Sequence, residues 1–158
     1  MIRTLLFLLS FSGTALAQTP ASVAEPRITL GWTTFLDEGP IDHFVSGGSV
    51  RFYISSRVGI EPEVLYLKGP GTDRDVTFIP HVTFDFGRTP RRSFYVTGGV
   101  GFLRQSQTSP FRFTSTEWTT SGGIGMKYFL TDRLFIAPEF RIGFEPILRA
   151  TGSIGFKF

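Results

Sequence analysis

Eight short segments in which apolar and polar residues alternate constrain the fold of this chain more than any other feature. In the last segment, residues 149–158, the even-numbered positions are apolar or glycine, and most odd-numbered positions are polar. Strict alternation predicts a β-strand with one apolar and one polar face. An apolar strand left at a sheet edge would invite aggregation, so we expect this strand to pair with the first one and close a barrel.

Most of the eight segments are about ten residues long, which is the length of a tilted strand that crosses a bilayer. They cover residues 27–35, 45–54, 58–67, 76–86, 94–104, 117–129, 134–143 and 149–158. The connections at 55–57, 130–133 and 144–148 are short, that at 87–93 is somewhat longer, and those at 36–44, 68–75 and 106–116 are longer. Short turns at one end and longer loops at the other are typical of membrane barrels. We therefore predict an all-β fold, a closed eight-stranded antiparallel up-and-down transmembrane barrel over residues 27–158.

The N-terminus predicts export. Arg3 precedes an apolar run over residues 5–11, and Ala15-Leu16-Ala17 follows as an A-x-A cleavage site. These features indicate a secretory signal peptide over residues 1–17, cleaved after Ala17. An anchor helix would need about 20 apolar residues, more than this run offers. Residues 18–26 then form a Pro/Ala-rich lead to the barrel, and the predicted location is the outer membrane.

Composition excludes several classes of protein. The chain has no cysteine, which excludes disulfides and thiolate metal sites. It has no apolar run of 18 residues, so a helical membrane protein is also excluded. The net charge is only +3, and no cluster of Lys and Arg interleaves with aromatic residues, so we expect no nucleic-acid partner.

The alternation predicts an inverted polarity, with apolar side chains such as Ile28, Phe52 and Val82 facing outward. Because lipid cannot solvate charge, the ionisable side chains must face the lumen. The predicted lumen charge network consists of Arg51, Glu61, Glu63, His81, Asp85, Lys127, Glu139, Arg141 and Lys157. The inward positions also include the uncharged polar residues Tyr53, Thr83, Tyr95 and Thr97. This arrangement distinguishes the chain from a soluble ligand-binding barrel.

A tight turn centred on Ser56 would set the register of the second and third strands. Residues whose numbers add up to 112 then face each other, so Arg51 faces Glu61, and His81 on the next strand opposes Glu61 or Glu63. Arg141 and Glu139 should neighbour Thr151 and Ser153 across the last hairpin. Small residues should offset these long side chains on the opposite wall, at Gly99, Gly101, Gly123 and Gly125. An eight-stranded barrel is just wide enough to be filled by side chains, so we predict a plugged interior.

The charged lumen admits two interpretations, a structural salt-bridge core and a catalytic or ion-conducting site. We favour the structural one, because buried charges are tolerable in paired networks and need no catalytic explanation. His81 has Thr83 as its same-face neighbour, and no G-x-S-x-G elbow occurs. With two histidines and no cysteine, the sequence predicts no metal site and no cofactor. The acidic first loop, with Asp37, Glu38 and Asp42, is a solvated surface or a weak site for a divalent cation.

Aromatic residues cluster towards the strand ends, as in the interfacial belts of membrane proteins. We place Trp32, Tyr66 and Trp118 near the loop end, and Phe94, Tyr128 and Phe158 near the turn end. Three prolines, Pro62, Pro80 and Pro138, fall inside predicted strands, where each removes a backbone donor. We expect β-bulges at these positions.

The segments V-G-I-E-P-E-V-L-Y (58–66), L-F-I-A-P-E-F-R-I-G (134–143) and the terminal G-F-K-F resemble the outer-membrane protein A/X-type β-barrel domains of Gram-negative bacteria. The resemblance covers essentially the whole predicted mature chain. It implies insertion by the barrel-assembly machinery, with Phe158 as the recognition signal. Some relatives carry a peptidoglycan-binding domain after the barrel, and we expect no such domain here.

Our first functional hypothesis is a non-enzymatic outer-membrane barrel, structural or surface-interacting through its loops. Its expected partners are outer-membrane lipids, and we expect a monomer. The alternatives are a lipid A-modifying enzyme and a narrow channel or carrier of small ligands. The deacylase version of that enzyme would require a His and a Ser on a lipid-facing strand, whereas His81 is lumenal by parity.

Overall fold

A computed structural model describes residues 24–36, 40–108, 112–144 and 147–158, and the predicted signal peptide lies outside them. The described residues contain no helix long and apolar enough to cross a membrane. They form eight strands: β1 (Ala24–Phe35), β2 (Ile41–Tyr53), β3 (Val58–Lys68), β4 (Arg74–Phe86), β5 (Arg92–Gln107), β6 (Phe113–Phe129), β7 (Leu134–Gly143) and β8 (Ile147–Phe156).

The strands close into a barrel. Each strand pairs antiparallel with the next, and β8 pairs with β1, where Arg27 lies opposite Gly155 and Phe35 lies opposite Ile147. After β8, the backbone N–H of Phe158 donates to the carbonyl of Ala24 at 3.2 Å. The predicted fold class, a closed antiparallel eight-stranded barrel, is confirmed.

Side chains alternate across the wall with inverted polarity. Ile28 and Ile124 on the outer face are 71% and 62% exposed, whereas Arg51 and His81 on the inner face are 0% exposed. Water around so many apolar side chains would be unfavourable, but acyl chains solvate them well. The outer wall therefore suits a bilayer, and the inner wall must satisfy its own charges.

The predicted difference in connection length is wrong. β2 begins at Ile41, β4 at Arg74 and β6 at Phe113, and β5 continues to Gln107, so part of each predicted long loop is paired strand. The connections at 36–40, 69–73, 108–112 and 144–146 define the loop end. Those at 54–57, 87–91 and 130–133, of similar length, define the turn end, where β1 begins and β8 ends. Polar residues beyond the bilayer continue the ladders because backbone hydrogen bonds do not require apolar side chains.

β1 begins at Ala24, three residues before the predicted start of the barrel. This extension adds Glu25 to the inner face, where it is buried. Glu25 falls in the predicted lead because Pro26 and the alanines before it interrupt the apolar alternation. A residue that the prediction places outside the barrel thus belongs to the charged interior of the barrel.

The three prolines inside strands do not form bulges, which corrects that expectation. Residues that face each other across β2 and β3 have numbers that add up to 112 on both sides of Pro62. The pairings of β4 with β5 around Pro80, and of β6 with β7 around Pro138, likewise keep one register. Each proline lacks the N–H that would face one neighbouring strand, so it opens a short gap in that ladder without inserting a residue.

Candidate functional site

A network of buried charged side chains fills the lumen, and Arg51 lies at its centre. Its Nε donates to Glu61 Oε2 at 2.7 Å, and its Nη1 donates to Asp85 Oδ1 at 2.9 Å. The guanidinium also lies over the ring of Tyr95, 4.3 Å from the centroid. The β2–β3 register, which continues through Ser49 opposite Glu63, brings Arg51 to Glu61.

The turn end of the network is organised around Lys127. Its Nζ donates to Glu25 Oε2 at 3.0 Å and to Asp85 Oδ2 at 2.9 Å. It also donates to the Tyr53 hydroxyl at 2.5 Å, and that hydroxyl donates in turn to Asp85 Oδ2 at 2.7 Å. Arg88 lies in the connection after β4, its side chain is 43% exposed, and its Nη2 lies 2.7 Å from the same oxygen, Asp85 Oδ2. These contacts close the lumen at the turn end.

Arg27 and Tyr95 connect this group to the middle of the barrel. Arg27 lies 3.7 Å from Glu25 and 3.4 Å from Glu61. Its Nη1 donates to the Tyr95 hydroxyl at 3.4 Å, and the hydroxyl donates to Glu139 Oε2 at 2.7 Å. Tyr95 therefore accepts from a cation and donates to a carboxylate, which uses the phenol in both roles.

The third group lies towards the loop end. Glu63 Oε1 accepts from Arg141 at 3.1 Å and from Arg149 at 2.9 Å, so one carboxylate holds together two arginines that face each other across β7 and β8. Arg141 also pairs with Glu139. Its Nη1 lies 2.8 Å from His81 Nε2, and because a guanidinium only donates, this ring nitrogen accepts.

The three groups described above balance their charges. Five buried carboxylates, Glu25, Glu61, Glu63, Asp85 and Glu139, meet five buried cations, Arg27, Arg51, Lys127, Arg141 and Arg149. Each of these carboxylates has at least one Lys or Arg partner. Such pairing offsets the high cost of removing charge from water, and it leaves none of the five carboxylates free to bind a metal.

Apolar side chains cover the network towards the loop end. They form a cluster of Phe35, Val45, Leu65, Leu67 and Leu103, with Ile147 packed against it. Between this cluster and the arginines is a cavity of about 30 Å³, lined in part by Thr119, Ser121 and Arg141. A volume of this size holds a water molecule or two but not an open pathway.

Glycines on β6 make room for the large side chains, as the sequence analysis predicts. A Cβ at Gly125 would overlap the ring of Tyr95, and one at Gly123 would overlap the side chain of Arg141. One wall of the narrow barrel is therefore thin where the opposing side chains are long.

The structure brings together eight of the nine residues predicted for the lumen network. The exception is Lys157, which lies beyond the end of β8, is half-buried and has no ion pair among the described residues. Arg141 faces Arg149 instead of Thr151 or Ser153, while Glu139 faces Thr151. His81 opposes Glu61, one of the two partners allowed.

Sequence reasoning missed three members of the network, Glu25, Arg27 and Arg149. Arg27 and Arg149 are the first residues of their predicted segments. Arg27 has the same inward parity as Thr29, and Arg149 has the same inward parity as Thr151. Parity extended to the segment ends identifies both. Glu25 required knowledge of where β1 begins.

The six predicted belt residues line the outer wall towards the two ends of the barrel. Trp32, Tyr66, Trp118, Tyr128 and Phe158 are exposed, and Phe94 is half-buried against Phe86, with 6.0 Å between ring centroids. Trp118 packs on Phe102 with 4.2 Å between ring centroids. The loop carboxylates Asp37 and Glu38 lie outside the described residues, and Asp42 is exposed.

A groove on the outer wall follows the ladder gap beside Pro138. Apolar residues such as Ile124, Met126 and Phe140 line it, and Tyr95 and Glu139 contribute to its lining from the inner face. Among the residues that the structure describes, no serine or histidine lines this groove. It therefore suits an acyl chain and lacks the histidine and serine that the deacylase alternative requires.

Comparisons with known proteins agree with this geometry. A family model described as the outer membrane protein beta-barrel domain matches residues 4–145. The N-terminal barrel of Pseudomonas aeruginosa OprF is 17% identical over 85% of this chain and 97% of its own, with a TM-score of 0.68. Neisserial surface protein A is 11% identical over 85% and 96%, with a TM-score of 0.72. Ail of Yersinia pestis is 12% identical over 85% and 99%, with a TM-score of 0.55. The search of curated proteins gives no significant match.

Proposed function

This chain belongs to the outer membrane protein beta-barrel family, and we propose that it is a non-enzymatic integral protein of the outer membrane, structural or surface-interacting through its loops. The observation that carries this proposal is the filled lumen. Five buried cations and five buried carboxylates occupy the space that a channel or a catalytic cleft would need. The fold itself is compatible with many activities, so the side chains carry the proposal.

A narrow channel is the first alternative, and the paired charges argue against it. An ion moving along the axis would have to separate pairs such as Arg51–Glu61, at 2.7 Å, and pass the apolar cluster above them. In planar bilayers we expect no discrete conductance steps from the purified protein, with a general porin in the same bilayer as the positive control. Reproducible single-channel steps would refute the plugged lumen.

A lipid A-modifying enzyme is the second alternative. The groove beside Pro138 offers the lipid access that such an enzyme needs, but Tyr95 and Glu139 in its lining are engaged with each other. His81 faces the lumen and accepts from Arg141, so it is not available as a base on the lipid side. Mass spectrometry of lipid A after expression should show no change in acylation relative to cells with the empty vector. A new or missing acyl chain would replace the proposal with an enzymatic one.

The proposed partners are the surrounding lipids and, during biogenesis, the barrel-assembly machinery. Exposed side chains such as Val82, Ile124 and Phe140 support acyl contacts, and we propose a monomer. Export by a signal peptide cleaved after Ala17 makes Gln18 the first residue of the mature protein, which N-terminal sequencing tests. If Phe158 is the assembly signal, its deletion should reduce insertion into the outer membrane without impairing folding of the purified chain in detergent.

Three outward cations at the loop end support a contact with anionic headgroups. Lys68 lies opposite Arg74 across β3 and β4, and Arg104 on β5 lies opposite Val76, two residues along β4 from Arg74. Tyr66 projects just below them at the proposed aromatic belt. We propose that this basic rim contacts lipid phosphates in the outer leaflet. We expect the protein to be more thermally stable in anionic vesicles than in zwitterionic ones. Replacement of all three cations by glutamine should remove this difference, while replacement of Arg57 at the turn end should not.

A further inference from the structure

We propose that His43, Asp73 and Asp75 form a binding site for a divalent transition-metal ion, best matched by Zn²⁺, at the loop end of the barrel. His43 lies near the start of β2, Asp75 near the start of β4, and Asp73 in the connection that precedes β4. One ligand atom from each residue lies within 4.8 Å of the other two. β3 lies between β2 and β4 and brings these positions together.

The backbone sets the tautomer of His43. Its Nδ1 lies 3.3 Å from the carbonyl oxygen of Ile41, which can only accept, so Nδ1 carries the proton and donates. The neutral ring then presents the lone pair of Nε2, which lies 2.9 Å from Asp73 Oδ2 and 3.5 Å from Asp75 Oδ2. A lone pair and an ionised carboxylate repel at that distance unless a proton or a cation lies between them. A backbone hydrogen bond to the remote ring nitrogen is also how metal-bound histidines are held.

Charge balance gives independent support. Every buried lumen carboxylate named above pairs with Lys or Arg, whereas Asp75, 2% exposed, pairs only with His43 among the described residues. Within the part of the chain that the structure describes, the Asp73 carboxylate also forms an ion pair only with His43, because the neighbouring Arg74 donates to the backbone carbonyl of Asp73 instead. A protonated His43 offsets one of these two negative charges. A divalent cation bound to neutral His43 offsets both.

The spacing of the atoms suits a tetrahedral ion. Zn–N and Zn–O distances of about 2.0–2.2 Å place adjacent ligands roughly 3.3 Å apart, and the two distances from Nε2, 2.9 and 3.5 Å, lie on either side of that value. The ligand oxygens of the two aspartates, at most 4.8 Å apart, need to close by no more than about 1.5 Å to reach that spacing, which the half-exposed Asp73 allows. A nitrogen ligand with two carboxylates favours Zn²⁺ over Ca²⁺ or Mg²⁺, which prefer oxygen ligands.

The surroundings hold the ligands in place. Asp75 Oδ1 accepts from the backbone N–H of Ser106 at 3.3 Å, which leaves Oδ2 towards His43. The ring of Phe35 packs edge-on against His43, with 4.8 Å between centroids. A Cβ at Gly69 would overlap the ring of His43 and the carboxylate of Asp73, so the glycine leaves the space open. A bound ion would tie β2 to the β3–β4 connection above the apolar cluster.

The histidine content of the chain provides a direct test. His43 and His81 are its only histidines, so ¹⁵N NMR of the imidazole rings in tag-free, chelator-washed protein folded in detergent reports on both. Zn²⁺ should shift the His43 ring resonances at one equivalent and leave those of His81, held by Arg141, unchanged. If the His43 resonances stay in place up to millimolar Zn²⁺, the proposal is wrong and the cluster is an ion pair alone.

Variants assign the carboxylate ligands. By calorimetry, Asp75→Asn and His43→Gln should each weaken Zn²⁺ binding at least tenfold, whereas Asp132→Asn, at an exposed turn carboxylate, should bind as the unmodified protein does. Each variant is first checked for folding by its migration with and without heating. Unchanged Zn²⁺ affinity in folded Asp75→Asn would overturn the assignment. Ca²⁺ that binds as tightly as Zn²⁺ without moving His43 would also overturn it, because the site would then consist of oxygen ligands alone.

Discussion

Replacement of Arg51 by methionine tests the lumen network at its most connected residue. The change removes the 2.7 Å contact with Glu61 and the 2.9 Å contact with Asp85, and it leaves the network of five carboxylates and five cations with one excess negative charge. Breaking a buried pair from one side costs about 3–5 kcal/mol of unfolding free energy. We expect about 3 kcal/mol, the low end, because Glu61 keeps Arg27 at 3.4 Å and Asp85 keeps Lys127 at 2.9 Å.

The double variant Arg51→Met/Glu61→Leu separates pairing from simple loss of packing. Glu61→Leu alone leaves Arg51 with Asp85 and should also cost about 3 kcal/mol. The double change restores charge balance, so we expect it to cost no more than either single change. The coupling energy of the pair should therefore be about 3 kcal/mol, the upper end for residues in contact.

Reversible urea unfolding in lipid vesicles measures these free energies. Trp32 and Trp118 on the outer wall report the transition by fluorescence, and gel migration with and without heating checks that each variant folds. Arg57→Met, at an exposed arginine in the turn of the same hairpin, should change stability by less than about 0.5 kcal/mol. If Arg51→Met costs no more than this control, or if the two single effects simply add, the pairing is wrong.

Two further predictions concern the walls of the barrel. Gly125→Val should lower the free energy of unfolding by about 1–3 kcal/mol because its side chain would overlap Tyr95. Gly152 faces outward into open space, so Gly152→Ala should be neutral in the same urea titration. Equal effects of the two changes would contradict the filled lumen. Val82→Arg, in the middle of β4 on the outer face, should cost about 2–4 kcal/mol in vesicles, and Leu130→Arg in a turn at most about 1 kcal/mol. Equal stability of these two variants would contradict a lipid-facing wall at Val82.

Most of the fold could be predicted from the sequence because the side-chain period of a strand is two. A strand between lipid and a charged lumen must alternate, and a shift by one residue would expose every charge to lipid. The positions of Arg51, Asp85 and Lys127 follow from that rule alone. The ends of the strands do not, because beyond the bilayer both faces can be polar. Ser106 and Thr114 pair across β5 and β6 without any alternation to reveal it.

The proposed metal site shows the same limit. His43 and Asp75 belong to segments that the sequence predicts as loops, where side-chain parity indicates nothing. The contact between them depends on β2 and β4 continuing past the apolar alternation and on β3 placing them side by side. The prolines show the converse limit. Pro62 and Pro80 face each other across β3 and β4. The N–H that Pro62 lacks would face β2, and the N–H that Pro80 lacks would face β5. No pattern within a single strand predicts this arrangement.

Collisional quenching of Trp32 and Trp118 in vesicles tests the inverted polarity of the barrel most directly. These are its only tryptophans, 55% and 67% exposed on the outer wall, and the variants Trp32→Phe and Trp118→Phe isolate each in turn. Lipids brominated near the headgroup end of the acyl chain should quench both strongly, and aqueous iodide should quench neither to the extent seen in urea. Strong iodide quenching with no effect of brominated lipid would mean that water, not acyl chains, surrounds the apolar wall.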